Sequence, residues 1–369
     1  MEESNFNLLA SSILINAGHP DSLDSDGTRK DIGARPYLNS YSGPEWYIRE
    51  DGNDISATGA IDDPFRSIQA ALNFGSDEDT AFVSSGTYNE NLVYRKDASE
   101  SIRSVSLVGE SMETTILDGQ GESNCIIFPM NGYSSPLIKS ITIRNGYAGS
   151  MGGVRGGGIA IAYNYFPIKL EDLLIEDCNS LDFGGGIHAI GSSLLLENVT
   201  ISNNTANQYG GGVYFYGTGD NTTLTIHNSS FSSNTAGQRG GAIKADGGAI
   251  FVQNSEFSAN NSSELGGAIY ARNGVSGFIK HSSFSNNISN EGGGIFFEFA
   301  DIIVDRTLFN ENFAGQGSAV KLWRSNIDIM NSNLVGNIAS GQFGNNNGAI
   351  GSTTRGLFAG GGDGTAGGI

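Results

Sequence analysis

Several things are scarce in this chain, and each scarcity excludes something. Proline supplies 7 of 369 residues, although glycine supplies 54. A collagen-like chain, which needs glycine at every third position together with abundant proline, is therefore excluded. Cysteine supplies only 2 residues, Cys125 and Cys178. That is too few for a disulfide framework or a cysteine-based metal site, and both read as buried free thiols. Basic residues are half as many as acidic ones, 20 Lys+Arg against 39 Asp+Glu, giving a net charge of −19. Such a balance argues against a nucleic-acid partner, which needs basic patches to meet phosphate. No apolar run reaches the roughly 18 residues of a membrane-spanning helix. The opening Met1–Ala10 stretch has neither the basic nor the apolar part of an export signal.

What the chain has in abundance is a repeat. A Gly-Gly-small-Ile/Val motif ends at Ile159, Ile187, Val213, Ile243, Ile269 and Ile295, with a weaker copy at Gly317-Ser318-Ala319-Val320. An apolar residue followed three later by Asn recurs in step: Ile201/Asn204, Phe231/Asn234, Phe257/Asn260, Phe284/Asn287, Phe309/Asn312 and Leu334/Asn337. Both motifs keep a period of about 26. Gly247–Ile250 resembles a further copy but is out of phase, and Ile250 aligns instead with Leu224. Helical repeats need about 33 residues or more and a 3.6 period. Here the residues after each glycine pair alternate with period 2, as in Val213-Tyr214-Phe215-Tyr216, which is the signature of a half-buried strand. Two or three short strands per 26 residues, joined by Gly/Asn/Ser turns, describe one coil of a parallel β-solenoid. The glycine pairs read as sharp bends needing φ > 0. The Asn line reads as a stacked amide ladder, whose loss at Asn260 costs on the order of 1–3 kcal/mol.

The paired motifs, for example Gly240-Gly241-Ala242-Ile243 with Phe257-Ser258-Ala259-Asn260, resemble the repeats of chlamydial polymorphic outer-membrane proteins. That resemblance covers roughly 140–340. It implies an all-β fold, a right-handed parallel β-helix of the pectin-lyase-like type, here of about ten coils between residues 80 and 350. Trp46 to Gly119, with Asp63-Pro64-Phe65-Arg66-Ser67-Ile68-Gln69-Ala70-Ala71-Leu72, resembles the opening of secreted bacterial β-helix proteins. Phe65, Ile68, Ala71 and Leu72 predict a short capping helix near 64–74. Residues 1–45, with Ser12–Gly18 and Asp26–Ala34, resemble the end of a preceding β-helix module plus a linker, so the chain reads as a piece of a longer protein. The β-helix proper is expected over 46–350, and 351–369 as a glycine-rich frayed tail. Both resemblances, with the acidic composition, imply an extracellular or cell-surface location.

Strand alternation also predicts a surface. The positions one and three after each motif Ile/Val face outward, and they carry His188, Tyr214/Tyr216, Lys244/Asp246, Tyr270/Arg272, Phe296/Glu298 and Lys321/Trp323. These are expected to form one exposed aromatic and charged stripe. Two functional classes compete for it. One is a non-catalytic adhesion or glycan-binding surface, with a polysaccharide or cell-surface glycan as partner. The other is a polysaccharide lyase or glycoside hydrolase acting on acidic polysaccharides, with Lys244, Asp246, Arg272 and Glu298 as candidate acids, bases and cations. Polygalacturonase-type motifs are not found and the coils are near minimal length, so the non-catalytic class is preferred and no catalytic residue is assigned. No cofactor is expected. Asp21, Asp24, Asp26 and Asp31 offer the oxygen ligands Ca²⁺ takes, but Gly33 stands where an EF-hand loop places its bidentate Glu. Ca²⁺ binding and simple turn formation both remain open for this segment.

Overall fold

The computed structural model describes residues 8–340, except 20, 34, 97–102, 131, 133, 134, 150–154 and 220, together with the backbone of 350–352. The glycine-rich stretch from Thr353 onward lies outside the described residues. The chain winds into a parallel β-helix of about nine turns. Each turn contributes up to four strands, not two or three. One turn runs Val213–Tyr216, Thr223–His227, Ser230–Ser232 and Thr235–Ala236. The fourth strand is only two residues long in most turns, too short to leave a periodic signal in sequence. Stacking the turns builds sheets of ten, eleven, ten and eight strands.

All pairing between these strands is parallel, and it runs in the register the repeats imply. Val213 pairs with Ile243, Ile243 with Ile269, Ile269 with Ile295, and Ile295 with Val320. Ile250 pairs with Leu224, so the out-of-phase Gly-Gly-Ala-Ile copy belongs to the neighbouring, eleven-stranded sheet. The inward residues form one continuous core. Within it Phe231, Phe257, Phe284 and Phe309 stack with centroids 4.6–5.0 Å apart.

The two glycines of each pair serve different purposes. The first adopts a positive φ, near +65° from Gly184 to Gly292 as at Gly240 (+66°), which L side chains rarely reach. The second bends nothing. A Cβ at Gly241 would sit 2.1 Å from the Gly267 carbonyl oxygen of the next coil, so that position is glycine because coils approach closely there.

The Asn line is a ladder. Asn234 donates its backbone N–H and its Nδ2 to Asn260 Oδ1, and Nδ2 also to Ile201 O; the same set repeats from Asn204 through Asn312. Every amide hydrogen and oxygen is thereby used inside a core that water does not reach. Cys178 occupies the same corner one coil earlier, where its N–H donates to Asn204 Oδ1 at 3.0 Å. Both cysteines are free and buried. A second ladder is built from hydroxyls. Val199, Ser229 and Ser255 each donate N–H to the hydroxyl one coil on, at Ser229, Ser255 and Ser282. Those hydroxyls in turn donate to carbonyls two residues back. The signal was present as a Ser or Thr at 229, 255, 282, 307 and 332.

The N-terminal end is closed by Ile68–Phe74, the only helix among the described residues. Trp46, fully buried, lies parallel to Phe65 with centroids 6.1 Å apart, and its Nε1 donates to Asp79 at 2.8 Å. Ser67 precedes the helix without capping it. The cap comes instead from Glu90, whose two carboxylate oxygens accept the N–H groups of Ile68 and Gln69 at 2.8 and 3.0 Å. The segment before residue 45 is irregular, but it is packed onto this end. Asn73 Nδ2 donates to the carbonyls of Ala10 and Ser12, and Ala10, Ile15 and Tyr37 join the core. No helix among the described residues is long and apolar enough to cross a membrane.

Candidate functional site

The expected stripe lies on the ten-stranded sheet that carries the glycine motif, and the structure divides it into two columns of different character. The first outward column is buried: His188, Tyr214, Lys244, Tyr270, Phe296 and Lys321. The expectation that these six are solvent-exposed is corrected. The physical reason lies in the residue just before each glycine pair. Phe183, Tyr209, Arg239, Leu265 and Glu291 bridge one another in parallel from coil to coil, and they fold back over the sheet. Phe183 stacks on Tyr209 at 5.0 Å and on Tyr214 at 4.9 Å. Arg155 lies 4.5 Å over the Phe183 ring and Arg239 5.4 Å over the Tyr270 ring. The Lys244 ammonium sits 4.7 Å from the Tyr214 centroid. Lys321 reaches Gln316, the residue before Gly317, at 2.7 Å. The result is a small aromatic and cationic core outside the β-helix, held by stacking and by cation–π contacts of about 0.5–2 kcal/mol each. Strand alternation could not reveal it, although a bulky residue before each glycine pair was visible at the same period.

The second outward column remains accessible at most positions. Tyr216 and Trp323 are exposed, at 39% and 45%, and Arg272 and Glu298 are half-buried. They pair in register, Tyr216 to Asp246 to Arg272 to Glu298 to Trp323. Asp246 is the exception, being buried. Its Oδ2 accepts from Lys244 and from Arg272 Nε and Nη2 at 2.9 and 2.8 Å, and its Oδ1 accepts from Asn273 at 2.6 Å. Burial works against this carboxylate, but hydrogen bonds from Arg272 and Lys244 outweigh it and hold the group below its ordinary range. With two cations on one carboxylate, burial brings the Lys244 ammonium down to about 8, which Asp246 only partly offsets. Tyr270 donates to Glu298, and burial with that bond raises the phenol. His188 is pushed down to about 3, first by burial and then by Arg155, so its ring is neutral at physiological pH.

These placements bear on the chemistry. The four groups considered as acids, bases and cations lie on adjacent coils, but Lys244 and Arg272 are engaged by Asp246, and Glu298 accepts from Tyr270. Asp246 is buried and accepts from three residues, so it is not presented to a substrate proton. In the N-terminal segment, Asp24, Asp26 and Asp31 accept backbone N–H groups, from Asp31, from Thr28 and Asn39, and from Asn16 and Tyr37 respectively. Among the described residues no cluster of three or more His, Cys, Asp or Glu is arranged to hold a metal ion.

A four-sided coil, a laddered corner and an outward face built from one motif define a parallel β-helix repeat protein. Residues 198–216, 254–272 and 281–298 match the Chlamydia polymorphic membrane protein repeat. The matches include Tyr216 and the strand carrying Tyr270 and Arg272. Among solved structures, a rhamnogalacturonan lyase is similar at 13% identity and TM-score 0.38, over 86% of this chain and 87% of that one. The catalytic unit of a thermostable GH87 alpha-1,3-glucanase from Streptomyces thermodiastaticus is similar at 12% identity and TM-score 0.37, over 80% of this chain; the chain spans 65% of that protein's length. A pectin methylesterase from carrot is similar at 14% identity and TM-score 0.35, over 90% and 87%. No curated protein matches the chain in sequence.

Proposed function

We propose that this protein is a non-catalytic surface β-helix that holds a polysaccharide or cell-surface glycan along the accessible column of its motif sheet. The carrying observation is the in-register row Tyr216–Arg272–Glu298–Trp323, with the buried Asp246 ion pairs beneath it. Neighbouring strands are about 4.8 Å apart, so the two exposed rings stand about 19 Å from each other with hydrogen-bonding groups between. Two exposed rings that bracket a polar strip suit a ligand extended along the coils, and the rings offer flat faces on which sugar rings pack. The polymorphic membrane protein repeats and the acidic composition support an extracellular or cell-surface location. The commitment of Asp246 to three donor residues favours binding over proton transfer.

The test is retention on a glycan array, run beside an assay for unsaturated uronate release. Tyr216→Ala with Trp323→Ala should abolish retention and shift the melting temperature by only a few degrees, because both residues lie at the surface, outside the core. Uronate release that disappears in Lys244→Ala would replace this reading with a lyase. Tyr270 is unsuitable for the test, since its removal would open the buried column.

A further inference from the structure

Where the Asn ladder stops, toward the N-terminal end, the repeat places sulfur. Ile143, Ile175 and Ile201 pair in register on neighbouring coils. Gly146 and Cys178, each three residues on, therefore hold the corner position that Asn204 and its successors hold in the later coils. Ile126 pairs with Ile159, so Cys125 stands at the position of Gly158, the small residue before the motif Ile/Val. In other coils that small position faces the ladder. A Cβ at Gly186 would lie 3.3 Å from Asn204 Cγ, and one at Gly212 3.3 Å from Asn234 Cγ. The two cysteines of the chain thus occupy the two positions that meet at this corner.

They also meet each other. Gly146 has no side chain, and sulfur fills the space it leaves. A Cβ on Gly146 would lie 2.8 Å from Cys125 Sγ, and the Gly146 N–H donates to Cys178 Sγ at 3.4 Å. Cys178 Sγ here replaces the amide oxygen that accepts the same bond further along the ladder. Cys125 Sγ lies 3.2 Å from Arg144 O and Cys178 Sγ 3.2 Å from Glu176 O, and Arg144 and Glu176 are register partners on adjacent strands. The two thiols are hydrogen-bond neighbours; burial, then this contact, raises the Cys178 thiol above its ordinary range. Burial disfavours the thiolate that attacks in disulfide exchange, so a bond between them forms before this corner closes or when it opens.

We propose that Cys125 and Cys178 form a disulfide that fastens the coil before the ladder to the ladder's first coil when the chain meets a disulfide oxidant. One S–S bond forms between the two residues. Their two protons and two electrons pass to a small-molecule disulfide, whose own S–S bond breaks to give two thiols. The bond is independent of the sheet surface proposed for glycans.

Equilibration of the intact chain with mixtures of oxidised and reduced glutathione, approached from both the oxidised and the reduced side, tests this. Acid-quenched protein should weigh about 2 Da less than the reduced chain. Digestion without reductant should yield one peptide pair joined at Cys125 and Cys178. A chain with only two cysteines can close such a loop even when unfolded. The deciding quantity is therefore the equilibrium constant for the bond in folding buffer relative to that in urea. Residues already in place for the bond should favour it at least tenfold in the folded chain, because fold and cross-link stabilise one another. Cys125→Ala is the control, since Ala242 and Ala268 hold the same position in later coils. Its melting temperature should not respond to reductant, whereas that of the linked, unmutated protein should fall. A ratio below tenfold, glutathione adducts in place of the linked peptide, or a reductant response kept by Cys125→Ala would each overturn the proposal.

Discussion

The two ends of this molecule are stabilised in opposite ways. From about residue 200 to 340 the same few contacts recur from coil to coil: an amide ladder, a hydroxyl ladder and a glycine bend, with a phenylalanine stack through the middle coils. From residue 8 to about 95 almost nothing recurs. Asp54, Asp79, Glu90, Asn73 and Asp31 each fill one position with one set of partners. A repeating stack needs each residue to fit only its neighbours above and below, so one solution can be copied. An end must terminate the stack, cover apolar core and satisfy strand edges at once. The comparison teaches that stability is distributed in the coils and concentrated in the cap.

Three changes would break or sharpen that contrast. The largest effect is expected from Trp46→Ala. It removes the ring that lies against Phe65 and Phe74 and leaves Asp79 short of a donor, so it should cost about 3–5 kcal/mol and unfold the cap as a unit. Hydrogen exchange should report the loss of protection over the cap before the coils. Unchanged protection around the helix would show that the cap is not cooperative. Next comes Asn260→Leu. It strips the acceptor from Asn234 N–H and Nδ2 and the donor from Phe231 O and Asn287 Oδ1. At about 1–3 kcal/mol for each buried group left unpaired, the cost should be about 3 kcal/mol or more by chemical denaturation, spread over adjacent coils. A neutral result would mean that water reaches the ladder.

The smallest and most specific effect concerns Glu90. Burial raises its carboxyl to about 7, against the two helix N–H groups that lower it. An acid whose pKa is raised on folding contributes stability that is complete below about 4.5 and is lost as pH climbs through the folded value. The stability of the unmutated protein minus that of Glu90→Gln should therefore fall between pH 4.5 and 7, by up to about 3 kcal/mol. Denaturant titrations at several pH values measure the difference. A difference that rose with pH would show that the helix amides, not burial, dominate this carboxylate.

Periodicity and side-chain type carry one kind of information. The 26-residue period, the parallel register, the pairing of Ile250 with Leu224, the Asn ladder and the capping helix were all legible before any coordinates. Each follows from a residue and its near neighbours in sequence, and all but the helix are copied down the stack. The candidate surface was legible only by half. Alternation decides which residues leave the core, and it placed Tyr216 and Trp323 correctly in water. It does not decide what returns to cover them. His188, Tyr214, Lys244, Tyr270, Phe296 and Lys321 are buried because the turn residues before each glycine pair fold back over the sheet, a contact made across the corner and not along the strand. The same reason hid the capping of the helix by Glu90 and the meeting of Cys125 with Cys178 at one corner. Such groups meet only when segments distant in the chain are packed together, and no local pattern records that meeting.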